Sequence, residues 1–286
     1  FSFLYGATSA AQTDSTKIDS LKQVLAQYNR LISENPAGVN ALINRARVKI
    51  RLKDYTGSIQ DNLKALALNP QYDTAYVNIG VAYAQLYNYH EALKNYDKAI
   101  QLNPKLYKTY YFRAIAKVKM EDTKSAIKDC DLAIELNPSY ADAYFQRGIS
   151  NFRLQNYKLA IQDYTKAIEL EPQNYYAYYA RANSNQHLKE YQLAIQDYTQ
   201  AINLYPKYQL AYYNRANCNW FLKDYQATIS DCNQAINLNP KYADAFFIRA
   251  NAKYKLNDKI AACQDWMLAS KLGLLTANDA IRKYCK

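Results

Sequence analysis

The sequence predicts an all-α solenoid of antiparallel helix hairpins, 34 residues to the hairpin, on three observations. The 286 residues include only seven prolines, and these stand at 36, 70, 104, 138, 172, 206 and 240, at intervals of 34. A proline at a fixed interval marks a repeated unit whose interior excludes proline. Between the prolines, each block holds two stretches of about 13 residues with apolar positions near the helical period, as in Ala143, Tyr144, Gly148, Phe152 and then Leu159, Ala160, Tyr164, Ala167, Ile168. Small residues recur at fixed places, where two helices cross closely: Ala46, Gly80, Ala114, Gly148, Ala182, Ala216 and Ala250 are one such set.

The elements follow in order. Residues 1–16 begin Phe-Ser-Phe-Leu-Tyr-Gly-Ala and turn polar after Ala11, so they read as the remnant of a signal peptide or as a flexible N-terminus. Residues 17–38 match only the second half of a repeat and form an N-terminal cap. Seven repeats then occupy 39–72, 73–106, 107–140, 141–174, 175–208, 209–242 and 243–276. Asp54, Asn88, Asp122, Asn156, Asp224 and Asp258 stand where a short acceptor caps the second helix. In the seventh repeat Leu274 replaces the proline, Gly273 ends the second helix, and Thr276 with Asp279 has capping-box spacing for a C-terminal capping helix over 277–286. A terminal cap is needed because the last hairpin otherwise exposes an apolar flank.

The pattern Tyr144, Arg147, Gly148, Ala160, Tyr164, Ala167, Pro172 resembles the tetratricopeptide repeat, and the other blocks repeat it with small departures. The resemblance implies a right-handed superhelix whose first helices line a concave groove for peptides, helices or domains, without catalysis. The ending Ala262-Cys263-Gln264-Asp265-Trp266, Leu272-Gly273 and Ile281-Arg282-Lys283-Tyr284-Cys285 resembles that of exported repeat proteins of the Bacteroidetes envelope.

Internal copies can be compared with one another. Arg45, Arg113, Arg147, Arg181, Arg215 and Arg249 share one position on the first helix; Asp61, Asp129, Asp163, Asp197, Asp231 and Asp265 share one on the second, sixteen residues later. The second repeat loses both together, as Ile79 and Asn95. Joint loss predicts a structural ion pair inside each hairpin, Arg147–Asp163, Arg181–Asp197 and Arg215–Asp231 among them.

Of the 30 tyrosines, most fall on four shared packing positions and belong to the scaffold. The inward positions of the first helices differ. They carry an aromatic rail of Tyr111, Phe145, Tyr179, Tyr213 and Phe247. One turn on stands an asparagine ladder of Asn183, Asn217 and Asn251, with donor and acceptor for a peptide backbone. Basic residues Arg47, Arg51, Lys119, Arg153 and Lys255 complete the row. Together they predict a peptide-binding groove for a segment with an acidic or polar face. Family members that clamp a chaperone's C-terminal carboxylate carry lysine on the rail, which this chain lacks.

Nothing in the sequence points to catalysis, a cofactor, a metal or a small-molecule substrate. His90 and His187 lie in different repeats without metal-ligand spacing, and no phosphate loop, G-x-S-x-G or His-Glu-x-x-His is present. Net charge is +11, but basic and acidic residues are mixed along the chain, which argues against nucleic acid. No apolar run is long enough for a membrane span. The five cysteines are Cys130, Cys218, Cys232, Cys263 and Cys285. In an exported chain, in the periplasm or envelope of a Gram-negative bacterium, Cys263 and Cys285 pair to staple the cap; in a cytoplasmic chain all five stay reduced.

Overall fold

The computed structural model describes residues 11–285. The leader-like residues 1–10 lie outside them. Every regular element among the described residues is an α-helix. The chain divides into two compact units between Pro138 and Ser139. The N-terminal unit holds α1 (Ala11–Glu34), α2 (Val39–Arg51), α3 (Tyr55–Leu68), α4 (Asp73–Gln85), α5 (Tyr89–Leu102), α6 (Tyr107–Lys119) and α7 (Thr123–Leu136). The C-terminal unit holds α8 (Ala141–Arg153), α9 (Tyr157–Leu170), α10 (Tyr175–His187), α11 (Tyr191–Leu204), α12 (Gln209–Phe221), α13 (Tyr225–Leu238), α14 (Ala243–Lys255), α15 (Lys259–Lys271) and α16 (Thr276–Tyr284). Helix α1 starts six residues ahead of the expected cap at Lys17, since no Gly or Pro interrupts the chain between Gly6 and Pro36.

Each hairpin turns in the same way. In the first, Leu52 and Lys53 close α2, and the Asp54 N–H reaches back to Lys49 O at 2.8 Å. This six-to-one bond is the Schellman closure, which places the residue before Asp54 in the left-handed region. Lys53, Tyr87, Glu121, Gln155, Lys189, Lys223 and Asn257 all have φ between 61° and 68°. The next residue caps the second helix through its side chain at Asp54, Asn88, Asp122, Asp224 and Asp258, whereas Asn156 makes no such bond.

The core is a column of alanines with one variable filler per hairpin. Ala65, Ala99, Ala133, Ala167, Ala201, Ala235 and Ala269 are all buried, so paired helices meet nearly backbone to backbone. The filler is Asn62, Tyr96 or Cys130 in the N-terminal unit and Tyr164, Tyr198, Cys232 or Trp266 in the C-terminal one, all fully or almost fully buried. A β-carbon on Gly80 would lie 2.5 Å from the Tyr96 ring, and one on Gly148 would lie 2.6 Å from Tyr164. Glycine at these two sites is the counterpart of a large filler.

Within each unit the hairpins stack as a solenoid, α3 on α4 and α5 on α6, then α9 on α10, α11 on α12 and α13 on α14. Neighbouring first helices also approach one another, α2 to α4 and α4 to α6 in one unit, and α8 to α10, α10 to α12 and α12 to α14 in the other. Neighbouring second helices within a unit stay further apart. The first helices therefore lie on the inner side of each stack.

At the C-terminus, α15 ends at Gly273, whose φ is 98°, and the Leu274 N–H bonds to Ala269 O at 3.0 Å. Helix α16 packs on α15, burying Ala277 against Phe246 and Ala269. Thr276 is its first helical residue and not its cap. Leu275 holds that place with helical dihedrals and no side-chain bond, and Asp279 instead pairs with Arg282. Cys263 and Cys285 are joined by a disulfide with Cα atoms 5.6 Å apart. Cys130, Cys218 and Cys232 are buried thiols, and burial pushes both Cys218 and Cys232 up to about 12.

Candidate functional site

The repeated arginine and aspartate come together in six hairpins. Arg147 Nη2 lies 2.7 Å from Asp163 Oδ1, Arg181 Nη2 2.7 Å from Asp197, and Arg215 Nη2 2.6 Å from Asp231. Arg45–Asp61, Arg113–Asp129 and Arg249–Asp265 repeat the geometry at 2.6 Å. Each of these aspartates is buried. The arginine does more than pair within its hairpin. Its Nη1 donates to the second helix of the preceding hairpin: Arg181 to Thr165 Oγ1 at 3.0 Å, Arg215 to Thr199 at 2.8 Å and Arg249 to Asn233 at 2.6 Å. The aromatic ring three residues earlier covers the guanidinium, Tyr178 over Arg181 and Tyr212 over Arg215, both with centroids at 5.8 Å.

A third partner escaped the sequence reading. Four residues after each arginine stands either lysine or asparagine, and in five of the six hairpins it reaches the same carboxylate. Lys49 bonds to Asp61, Lys117 to Asp129 and Lys253 to Asp265, at 2.7 to 2.8 Å. Asn151 and Asn219 take that role at Asp163 and Asp231. The difference is electrostatic. Burial pushes the Asp61 carboxyl up, but bonds from Arg45 and Lys49 outweigh it and hold it below the ordinary value. At Asp231 burial prevails over Arg215 and Asn219, and the carboxyl is raised.

The predicted groove residues divide between the two units. In the N-terminal unit, Arg47 and Arg51 are exposed one turn apart on α2, Tyr111 is buried against Phe112, and Lys119 is partly buried on α6. A cleft of about 360 Å³ between α1 and α2 is lined by Tyr28, Leu31, Asn40 and Asn44, and by none of these predicted residues. In the C-terminal unit, Phe145, Tyr179, Tyr213 and Phe247 are half-buried on α8, α10, α12 and α14, while Arg153 and Lys255 are exposed at the helix ends. Phe145 rests on Tyr164, Tyr179 on Tyr198 and Tyr208, and Tyr213 on Tyr242, with centroids 4.7 to 5.7 Å apart.

The asparagine ladder is tied into this packing. Tyr198 Oη stands 2.6 Å from Asn183 Oδ1 and 2.6 Å from Gln186 Oε1. Asn214 Nδ2 donates to Tyr179 Oη at 2.9 Å and to Asn183 Oδ1 at 3.2 Å. Trp266 Nε1 donates to Asn251 Oδ1 at 2.9 Å, and Asn217 faces the Tyr213 hydroxyl. The carbonyl edges of Asn183 and Asn251 are thus committed inside the protein, because the filler ring of each hairpin comes within reach one turn above the rail. Through Asn214, Asn183 is also tied to Tyr179 of the rail. Asn214 belongs to the same network and was missed, since no other repeat carries asparagine there within this unit; Asn44 and Asn78 carry it in the other.

His187 is stacked on Tyr157 at 4.7 Å, 8° from parallel, and meets the edge of Phe152 at 5.2 Å. Phe221 stacks on Tyr191 in the equivalent place at 4.9 Å. The imidazole therefore occupies a packing position. No group of three or more His, Cys, Asp or Glu able to hold a metal occurs among the described residues. No helix among them is long and apolar enough to cross a membrane.

Tetratricopeptide repeat models match residues 74–106, 107–140, 141–174, 163–196 and 210–242, more than half of the chain. The chain belongs to the tetratricopeptide repeat family. Among solved structures, a tetratricopeptide repeat protein from Parabacteroides merdae is 20% identical with a TM-score of 0.60, over 87% of this chain and 99% of the other. The C-terminal part of a repeat protein from Cytophaga hutchinsonii is 20% identical with a TM-score of 0.69, over 83% and 98%. YrrB, described as having an unusual peptide-binding site, is 24% identical with a TM-score of 0.53, over 64% and 95%. At such identities the likeness is one of fold. No curated protein sequence is significantly similar.

Proposed function

We propose that this chain is a non-enzymatic scaffold that holds a peptide, helix or protein segment along the inner face of its first helices. The observation that carries the reading is the half-buried rail of Tyr179, Tyr213 and Phe247, on the side where first helices draw together. Ordered aromatic rings give large contact area at small entropic cost, and Asn214 and Asn183 already hold Tyr179 in place. Exposed Arg47 and Arg51 in the N-terminal unit favour an acidic or polar face on the segment bound there. Export to the periplasm or envelope is part of the proposal, and the Cys263–Cys285 disulfide supports an oxidising compartment.

The test is affinity capture from an envelope extract with the wild-type chain and with Tyr179→Ala/Asn217→Ala. Capture lost in the double variant, with the melt preserved, supports groove binding. Undiminished capture sinks it. That second outcome favours assembly through the ends, for which Ile260 and Leu275, each 78% exposed near the C-terminal cap, are the apolar candidates.

A further inference from the structure

Helix α1 is half of a hairpin. It keeps the contact that a second helix makes with the hairpin after it, since Arg45 Nη1 donates to Asn29 Oδ1 at 3.0 Å, as Arg249 does to Asn233. What it lacks is a first helix of its own. The residues that match Val24, Tyr28 and Leu31 in the seven complete hairpins, from Ser58, Asn62 and Ala65 onward, are all at most 2% exposed under their first helix. On α1, Leu31 is 42% exposed, and Val24 and Tyr28 are partly exposed. Tyr28 and Leu31 border the cleft between α1 and α2, with Asn44 on the α2 side. In the C-terminal unit the residue matching Asn44 is Asn214, which donates to Tyr179 and Asn183 of the preceding first helix. The cleft is therefore the seat of a helix. The residues just ahead of the seat do not fold back over it, because α1 runs straight through Asp19 and Ser20, where every complete hairpin makes its Schellman turn.

We propose that α1 of a second copy of this chain occupies the seat, and that the protein is a two-fold dimer through its N-terminal helices. The dimer is independent of the aromatic rail. Residue size selects the occupant first. Leu21, Val24, Tyr28 and Leu31 are three, four and three residues apart, the spacing of a coiled-coil seam. Closed hairpins put alanine opposite Leu31, so that helices meet closely; leucine there holds a partner at the wider coiled-coil distance. The stripe is also complementary to itself in the antiparallel sense that a two-fold imposes. With Leu21 facing Leu31 of the second copy, Val24 faces its Tyr28, and Lys17 comes level with its Glu34, so that opposite charges meet at both ends. Gln27 stands where the arginine-bearing hairpins have their buried aspartate, so the seat does not call for an arginine-bearing first helix. Size of contact agrees. The 24 residues of α1 span about 36 Å. A face of that length, widened by α2 on each side, approaches the roughly 800 Å² per partner of a stable dimer.

The experiment uses the full chain and reads its mass in solution by light scattering on a sizing column. The wild type should elute as a dimer and Leu31→Lys as a monomer, because the substitution puts a charge into the seam of both copies. Leu31 is already 42% exposed, so the fold accommodates the change, and a thermal melt verifies it. Gln27→Cys places a thiol beside the two-fold axis, and a short bismaleimide should join it to its mate. Asp19→Cys, on the opposite side of α1, should stay single under the same treatment. The native thiols Cys130, Cys218 and Cys232 are buried and do not compete. Should Leu31→Lys fail to fold, the two cysteine variants decide alone. A wild type that is monomeric at every concentration overturns the proposal, whether the seat then takes a helix of another protein or an earlier part of this chain. A dimer that persists in Leu31→Lys, or that links as readily through Asp19→Cys as through Gln27→Cys, lies on another surface and overturns it as well.

Discussion

Tyr164 lies across the backbone of Gly148, so close that a β-carbon added there would stand 2.6 Å from the ring. In the next repeat Ala182 and Tyr198 share the equivalent places, both fully buried. The difference comes from what the phenol meets. Tyr198 reaches Asn183 and Gln186, whereas the fourth repeat offers Ile149 and Phe152 at those positions. Gly148→Ala should therefore cost roughly 1–3 kcal/mol through overpacking. Ala182→Gly should cost only about 0.5–1 kcal/mol, the backbone entropy of glycine in a helix. Urea denaturation of both variants decides this, and equal losses would contradict it.

Arg181 joins Asp197 of its own hairpin to Thr165 of the preceding one. Removing Asp197 leaves a partly buried guanidinium without its carboxylate, and removing Arg181 leaves a buried carboxylate opposed by little. Each single alanine substitution should cost about 3–5 kcal/mol, and the double variant much less than their sum. Thr165→Val tests the inter-hairpin arm, at about 1 kcal/mol. Strictly additive losses in the cycle would mean that the pair does not couple.

The fold was legible because each hairpin repeats the same constraints. Proline spacing, small residues at the crossings and the joint loss of Arg and Asp in the second repeat all follow from one 34-residue geometry. The candidate site was less legible, because it depends on contacts between unlike positions. The bond between Asn183 and the Tyr198 hydroxyl joins positions fifteen residues apart on different helices, which the repeat pattern does not announce. Lys49 and Asn219 share a position yet differ in type, so a search for one repeated residue passed over both. Thr276 and Asp279 have the right spacing for a capping box, but tertiary packing of α16 places Leu275 at the cap.

Lys49 and Asn219 also set opposite pH responses. Asp61 is held below its ordinary value of 3.8, so its stabilising contribution is present above that value and is lost as pH falls through the folded one. Asp231 is raised above 3.8, so its contribution favours folding at low pH and is lost as pH rises from 3.8 through the folded value. Asn219→Lys supplies the second cation seen at Asp61. It should lower the Asp231 carboxyl and stabilise the protein near pH 7 by about 1–2 kcal/mol, with the gain fading in acid. Carboxyl carbon NMR titration reads the first effect, and melts at neutral and acid pH read the second. An unmoved Asp231 would show that burial cannot be offset at this position.

The disulfide acts on one element. Helix α16 packs mainly on α15 and also touches Phe246 and Tyr254 of α14, with Tyr284 stacked over Trp266 at 5.7 Å and Cys263 bonded to Cys285 across 22 residues. A closed loop of that size contributes about 2–4 kcal/mol, mainly by limiting the unfolded segment. The segment restrained here is the cap, and nine residues make a marginal helix without it. Cys263→Ser/Cys285→Ser should therefore raise hydrogen exchange of α16 amides strongly and leave α8 to α13 almost unchanged. Trp266, 1% exposed in the intact protein, should become more accessible to a fluorescence quencher. A uniform rise in exchange across the C-terminal unit would instead make the bond a support of the whole stack, and unchanged exchange in α16 would mean that Ala277, Ile281 and Tyr284 hold the cap unaided.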